Sequence, residues 1–184
     1  MNIITTPIEG VIVIEPEVFQ DSRGCFFESF REAHFHEWVD PAVRFVQDNE
    51  SHSQYGVVRG LHFQTPPHAQ AKLVRVVLGE VMDVAVDLRR SSPTYGRHVA
   101  VRLSGENKRQ LFLPKGMAHG FATLSREVIF QYRCDSYYAP ENEGGIDAFD
   151  PDLAIDWGIP LEQAIRSEKD LHRARFIDFV SPFE

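Results

Sequence analysis

Between Val43 and Asp135 the sequence falls into short runs, alternating or wholly apolar, each closed by Gly or Pro, and few folds accept that pattern. Lys72–Leu78 and Val81–Leu88 are the longest, joined at Gly79-Glu80 in the manner of a hairpin. Val57–Gln64, His98–Leu103, Arg109–Leu113, His119–Leu124 and Val128–Asp135 read as further strands, and Val43–Asn49 alternates before a polar loop over Ser51–Gly56. Pro66-Pro67 rules out regular structure over Thr65–Gln70, and Pro114-Lys115-Gly116 is a turn. Many short strands between such turns predict a mainly antiparallel all-β sandwich or barrel.

The flanks differ. Ile8–Phe19 reads as a first strand that Pro16 confines to an edge or to a crossing towards a partner. Asp21-Ser22-Arg23-Gly24 is a turn, Cys25–Phe30 a short aromatic strand, and Arg31–Val39 a helix closed by Asp40-Pro41. Near the end Leu161–Phe176 is helix-like, and Ser167-x-x-Asp170 has the spacing of a capping box. Residues 139–184 are too few for a domain of their own, so turns and helix are expected to pack back on the barrel, giving one domain over 1–184. A charge of −8 disfavours nucleic acid and anionic lipid as partners. No apolar run approaches the ~20 residues of a membrane helix, and Met1–Phe19 has no signal-peptide pattern; a cytoplasmic protein is expected. Cys25 and Cys134 match no metal or redox spacing and read as free thiols.

Period two fixes which side chains share a face. Lys72 shares one with Val74, Val76 and Leu78, and Tyr132 with Val128, Phe130 and Cys134, so both point inward. His62 shares a face with Val58 and Gln64. Strict alternation sends Arg59 to the other side unless Gly60 hosts a bulge. Tyr132 and His62 also suit a bonded core position. An inward lysine is harder to dismiss, because burial without a partner costs several kcal/mol or lowers its pKa, and such groups gather at functional sites.

Pro114-Lys115-Gly116-Met117-Ala118-His119 resembles the second motif of the cupin superfamily, which implies an antiparallel double-stranded β-helix, or jelly-roll barrel. Metal-binding cupins carry H-x-H and then a glutamate seven residues before a glycine. Here His62 is followed by Gln64, and Lys72 stands seven residues before Gly79. A cation in the carboxylate's place repels a divalent ion, so a barrel without metal is expected.

The runs Asp21–Gly24, Gln47–Asn49, Val58–Gln64, Ala69–Val76, Asp83–Arg89, Ser92–Thr94, Glu106–Leu111 and Ser167–Asp170 closely resemble the dTDP-4-dehydrorhamnose 3,5-epimerase family, in order over residues 7 to 170. The resemblance implies a homodimer that converts dTDP-4-dehydro-6-deoxy-D-glucose into dTDP-4-dehydro-L-rhamnose with no cofactor. It implies His62 as base, Asp170 as its acidic partner, Tyr132 as proton donor and Lys72 beside the ketone oxygen. It further implies that Arg23, Glu28, Gln47, Asp48, Asn49, Arg59, His119, Glu143 and Lys169 contact the nucleotide sugar, with Arg23 and Glu28 supplied by the neighbouring subunit. By spacing alone Asp170 is equally a helix cap. The competing readings are a related keto-sugar enzyme that inverts one carbon or shifts the ketone, a metal cupin such as a dioxygenase, and a sugar-nucleotide binder without activity.

Overall fold

The computed structural model describes residues 1–184. Its N-terminal strands are β1 (Asn2–Thr5), β2 (Ile12–Glu15), β3 (Val18–Asp21) and β4 (Gly24–Phe27), followed by helix α1 (Glu32–Trp38). Then come β5 (Gln47–Gln54), β6 (Val58–Gln64), β7 (Lys72–Leu78), β8 (Glu80–Asp87) and β9 (His98–Ser104). The barrel is completed by β10 (Gln110–Leu113), β11 (Met117–Thr123), β12 (Glu127–Cys134) and β13 (Glu143–Gly145), and a single helical turn, α2 (Glu168–Leu171), lies near the end. No helix is long and apolar enough to cross a membrane.

Two antiparallel sheets face each other. One has the order β1-β2-β10-β7-β12-β5 and the other β13-β6-β11-β8-β9. From β5 to β13 the chain changes sheet at every connection except the one from β8 to β9, which is the winding of a double-stranded β-helix of the cupin kind. The inward residues of both sheets make the central core, with Val74, Val76, Leu111, Val128 and Phe130 meeting Val81, Ala85, Leu103, Met117 and Phe121. This core is apolar at one end and gives way to polar side chains at the other. The outer face of the five-stranded sheet is covered by Ile146, Ala148, Leu153, Trp157 and Phe183 from the C-terminal residues. On the other side α1 drops Phe35 onto Leu73 and Phe112.

Four expectations from the sequence need correction. Gly79-Glu80 does not close a hairpin: β7 pairs with β10 and β12, β8 with β9 and β11, and the glycine turns the chain from one sheet to the other. Ser51–Gly56 is not a loop, since β5 runs to Gln54 and pairs with the whole of β12; as an edge strand with one open face it tolerates polar residues, while 43–46 lie outside the strand. Ile8–Phe19 is broken at Pro16 into β2 and β3, and β1 precedes them. Leu161–Phe176 is helical only at 161–163, in 168–171 and again at its last residue, which opens the turn Phe176–Asp178. Its backbone bonds to the barrel instead: the Ile165 N–H donates to the Gly56 carbonyl at 2.8 Å and the Val58 N–H to the Ile165 carbonyl at 2.9 Å.

The feature that matters most for the interior is an irregularity in β6. His62 pairs with His119 and Arg59 with Phe121, so three steps along β6 match two along β11. The extra residue is a bulge at Gly60, whose φ of +133° suits glycine. A Cβ there would stand 2.5 Å from the Gly120 Cα and 2.9 Å from the His119 carbonyl oxygen. Gly60→Ala is therefore expected to destabilise the protein by about 2–4 kcal/mol in urea unfolding. A loss under half a kcal/mol would show that the strand accommodates the methyl and that the bulge is not confined to glycine.

Candidate active site

The polar end of the barrel holds a cavity of about 470 Å³ whose walls include Arg59, His62, Lys72, His119, Tyr132 and Asp170. A second lobe of about 370 Å³ is lined by Gln47, Asn49, Tyr138 and Glu143 and shares His62, Lys72 and Tyr132 with the first. Each lobe has the size of a small-molecule site. The three shared residues stand where the lobes meet.

His62 comes from β6 in the five-stranded sheet, whereas Lys72 and Tyr132 come from β7 and β12 in the six-stranded one. An imidazole therefore faces an ammonium and a phenol across the cavity. Because of the bulge, Arg59 lines the same lobe as His62, as the alternative with a re-aimed strand required. The Arg59 Nε donates to the Ser53 Oγ at 3.1 Å, which orients the guanidinium.

Each histidine has a carboxylate behind it. His62 Nε2 lies 2.6 Å from Asp170 Oδ1, and the Asp170 side chain is only 5% exposed against 33% for His62. Burial pushes the Asp170 carboxyl up, but bonds from His62 and the Ser167 turn, with the Arg173 charge, outweigh it and hold Asp170 below the usual range. With Asp170 ionised, Nε2 carries the shared proton and Nδ1 is left as a basic nitrogen. Asp170 also sits in α2, where its N–H donates to the Ser167 Oγ at 3.2 Å, so capping and pairing are both its tasks. His119 Nε2 lies 3.0 Å from Asp83 Oδ2, both buried, and burial raises the Asp83 carboxyl against the opposing pull of His119 and Lys72.

Lys72 has no such partner. Its Nζ is 5.8 Å from the centroid of the Tyr132 ring, and burial lowers its pKa against the weaker pull of Cys134, Asp83 and Glu143. Burial likewise raises the Tyr132 phenol above its ordinary value, with Arg59 opposing. Desolvation thus holds Tyr132 protonated. No three of the chain's His, Cys, Asp and Glu side chains are grouped so as to hold a metal ion.

Glu143 anchors the second lobe. Its Oε1 is 2.6 Å from Lys169 Nζ and 2.7 Å from Arg173 Nη2, and its Oε2 accepts from the Tyr138 hydroxyl at 2.8 Å. Burial pushes this carboxyl up, but those three partners bring it down to about 2. Gln47 and Asn49 line the lobe from alternate positions of β5, while Asp48 between them turns to the other face and pairs with Arg133 at 3.3 Å. Arg23 and Glu28 are not in this chain's cavity. Arg23 pairs with Asp21 at the tip of the β3–β4 hairpin, and Glu28 with Arg31. Asp83, Tyr138 and Arg173 were not picked out by the sequence reading. For Asp83 a signal existed, since it shares its strand face with Val81 and Ala85.

A family model described as dTDP-4-dehydrorhamnose 3,5-epimerase matches residues 5–178. The chain is 51% identical over 178 residues to a dTDP-4-dehydrorhamnose 3,5-epimerase of Shigella flexneri, covering 97% of each. It is 55% identical over 168 residues to one from Methanothermobacter thermautotrophicus, covering 91% of this chain and 90% of the relative. Among solved structures, a dTDP-6-deoxy-D-glucose-3,5-epimerase of Legionella pneumophila in complex with dTDP-4-keto-L-rhamnose is similar with a TM-score of 0.93 and 50% identity, over 97% of this chain and 94% of the other.

The depressed Glu143 carboxyl has a consequence for stability. A carboxyl lowered from 4.5 to about 2 contributes stability above pH 4.5 that fades as the pH falls towards 2. Glu143→Gln is expected to cost on the order of 3 kcal/mol at neutral pH, with the gap to the unaltered protein closing between pH 4.5 and 2 in chemical unfolding. A gap that is constant over this range would contradict the charge-based account.

Proposed function

The chain belongs to the dTDP-4-dehydrorhamnose 3,5-epimerase family, and we propose that His62 and Tyr132 serve its reaction as base and acid on opposite sides of the sugar ring. The activity is the epimerisation of dTDP-4-dehydro-6-deoxy-D-glucose at C3 and C5, which yields dTDP-4-dehydro-L-rhamnose in dTDP-L-rhamnose biosynthesis. One observation carries the assignment of roles: the imidazole and the phenol project from different sheets into the same cavity.

A proton on a carbon beside a ketone is removable when the resulting enolate is stabilised. His62 Nδ1 takes the proton, and the imidazolium so formed is favoured by Asp170 behind it. The electron pair of the broken C–H bond moves into the enolate, whose negative charge resides largely on O4. Lys72 is the fixed charge for that oxygen, and such a donor in a dry site is worth about 3 kcal/mol of barrier. Return of a proton to the same carbon from the other face inverts it, and Tyr132, held protonated by burial, donates it. Two rounds, at C3 and at C5, complete the reaction. Between rounds the imidazolium and phenolate return to their starting forms by exchange with solvent.

Arg59 and His119 border the sugar lobe, and Gln47, Asn49 and Glu143 the nucleotide lobe, with Lys169 bound to Glu143, in this reading. The guanidinium of Arg59 suits a diphosphate oxygen through its planar fork. We propose further that the working form is a homodimer in which the β3–β4 hairpin brings Arg23 and Glu28 to the neighbouring site. The hairpin belongs to neither sheet of its own chain, and its Phe19 and Phe26 are 56% and 70% exposed, which supports the exchange.

Turnover in deuterated water tests the central roles. Label is expected at both C3 and C5; label at one carbon alone would identify a single-carbon epimerase. Tyr132→Phe is expected to exchange solvent label yet form at least ~100-fold less doubly inverted product, while His62→Ala does neither. Full double inversion by Tyr132→Phe would remove the assignment of the donor.

A further inference from the structure

Arg173 lies behind the His62–Asp170 pair, on the segment that follows α2, and the chemistry above gives it no task. Its side chain is 12% exposed. Nη2 reaches Glu143 Oε1 at 2.7 Å, and Nε stands 3.8 Å from Asp170 Oδ1, the same oxygen that meets His62 at 2.6 Å. That Nε is buried and has no hydrogen-bond partner. One edge of the guanidinium is thus bound to Glu143, and an unbonded N–H is left beside the carboxylate of the dyad.

The position is built rather than incidental. The Ile146–Ala174 bridge fastens the segment to the end of β13, with the Asp147 N–H donating to the Ala174 carbonyl at 2.9 Å. Gly145, which pairs with His62, leaves the slot: a Cβ there would stand 2.7 Å from Arg173 Nε and 2.9 Å from Cζ. The guanidinium therefore rests against bare backbone one strand away from the base.

We propose that Arg173 is a positioning residue that sets the basicity of His62 through Asp170, without touching the substrate. The proposal rests on the reading of His62 as the base. A carboxylate at 2.6 Å favours the imidazolium and, acting alone, would keep His62 protonated at higher pH. A guanidinium beside the same oxygen offsets part of that charge and so weakens the hold of Asp170 on the imidazolium. The bond to Glu143 fixes the guanidinium at a distance where it acts on Asp170 without displacing His62. Other charges facing the pair are Arg59 on β6, Lys72 on β7, the His119–Asp83 pair between β11 and β8, and Arg166, which is held by Asp147. Lys169 is bound to the same Glu143 oxygen as Arg173. The other groups share no bonded partner with Arg173.

The test uses the full chain with Arg173→Gln, Arg173→Met and Arg173→Lys. Two quantities are read: kcat/KM against pH, and the titration of the His62 imidazole by NMR, its signal assigned by its absence in His62→Asn. Removal of the positive charge makes the imidazolium easier to form, so the acid limb and the imidazole titration both move up. A shift of about one pH unit is expected in the neutral variants, with kcat/KM below the limb falling about tenfold and the plateau changing far less. Arg173→Lys is expected to bring the limb most of the way back. Arg173→Met carries the same test if Arg173→Gln does not fold. An unshifted or lowered titration in the neutral variants overturns the proposal, as does a lysine variant shifted as far as they are; a purely structural role would depress activity equally at every pH. Wild-type turnover by His62→Asn would instead defeat the assignment of the base, and the imidazole titration would still read the effect of Arg173.

Discussion

The strand β6 carries one residue more than the strand beside it, and the chemistry of the cavity depends on that residue. Between Arg59 and His62 the bulge at Gly60 cancels the alternation that would put the two on opposite faces. Without it either the guanidinium or the imidazole would be directed into the apolar layer beneath Trp157 and Leu153. The bulge is possible because the backbones of Gly60 and Gly120 approach closely, with no side chain between them. A change of one methyl group there is thus a change in the aim of the base.

The second constraint is electrostatic. The ionisable groups at the polar end of the barrel are not treated alike. His62 and His119 are each bound to a buried carboxylate, which settles their orientation. Lys72 and Tyr132 are left without such partners, and burial moves each towards its neutral form. Groups whose charge is unsatisfied in the resting protein are the ones that gain most when a charge develops in front of them. The pairing thus separates residues that orient from residues that respond. Glu143, tied to Lys169, Tyr138 and Arg173, joins the nucleotide lobe to the dyad through a single guanidinium.

Much of this was legible in the sequence, and the misses have physical reasons. Period two is a local property, so the inward aim of Lys72 and Tyr132 could be read directly, whereas glycine at position 60 left the bulge open as the alternative to strict alternation. Which sheet a strand joins is not local. Gly79-Glu80 has the composition of a hairpin turn, yet the two strands it links lie in different sheets. Ser51–Gln54 looked like a loop because an edge strand with one open face has no need of apolar residues there. Leu161–Phe176 has helical composition, but its backbone is claimed by Gly56, Val58 and Asp147. Asp170 could be tied to His62 only through the family resemblance, since the two are 108 positions apart. Asp48 was included with its neighbours Gln47 and Asn49, and strand alternation removes it from their face.

The central claim is that base and acid flank the reacting carbons from opposite sheets. A crystal structure with a dTDP-6-deoxyhexose that bears a hydroxyl in place of the 4-ketone, and so cannot react, tests it most directly. The account predicts the ring between the two sheets, the His62 imidazole over one face, the Tyr132 hydroxyl over the other, and O4 beside Lys72 Nζ. His62 and Tyr132 on the same face of the ring, or O4 turned away from Lys72, would contradict it.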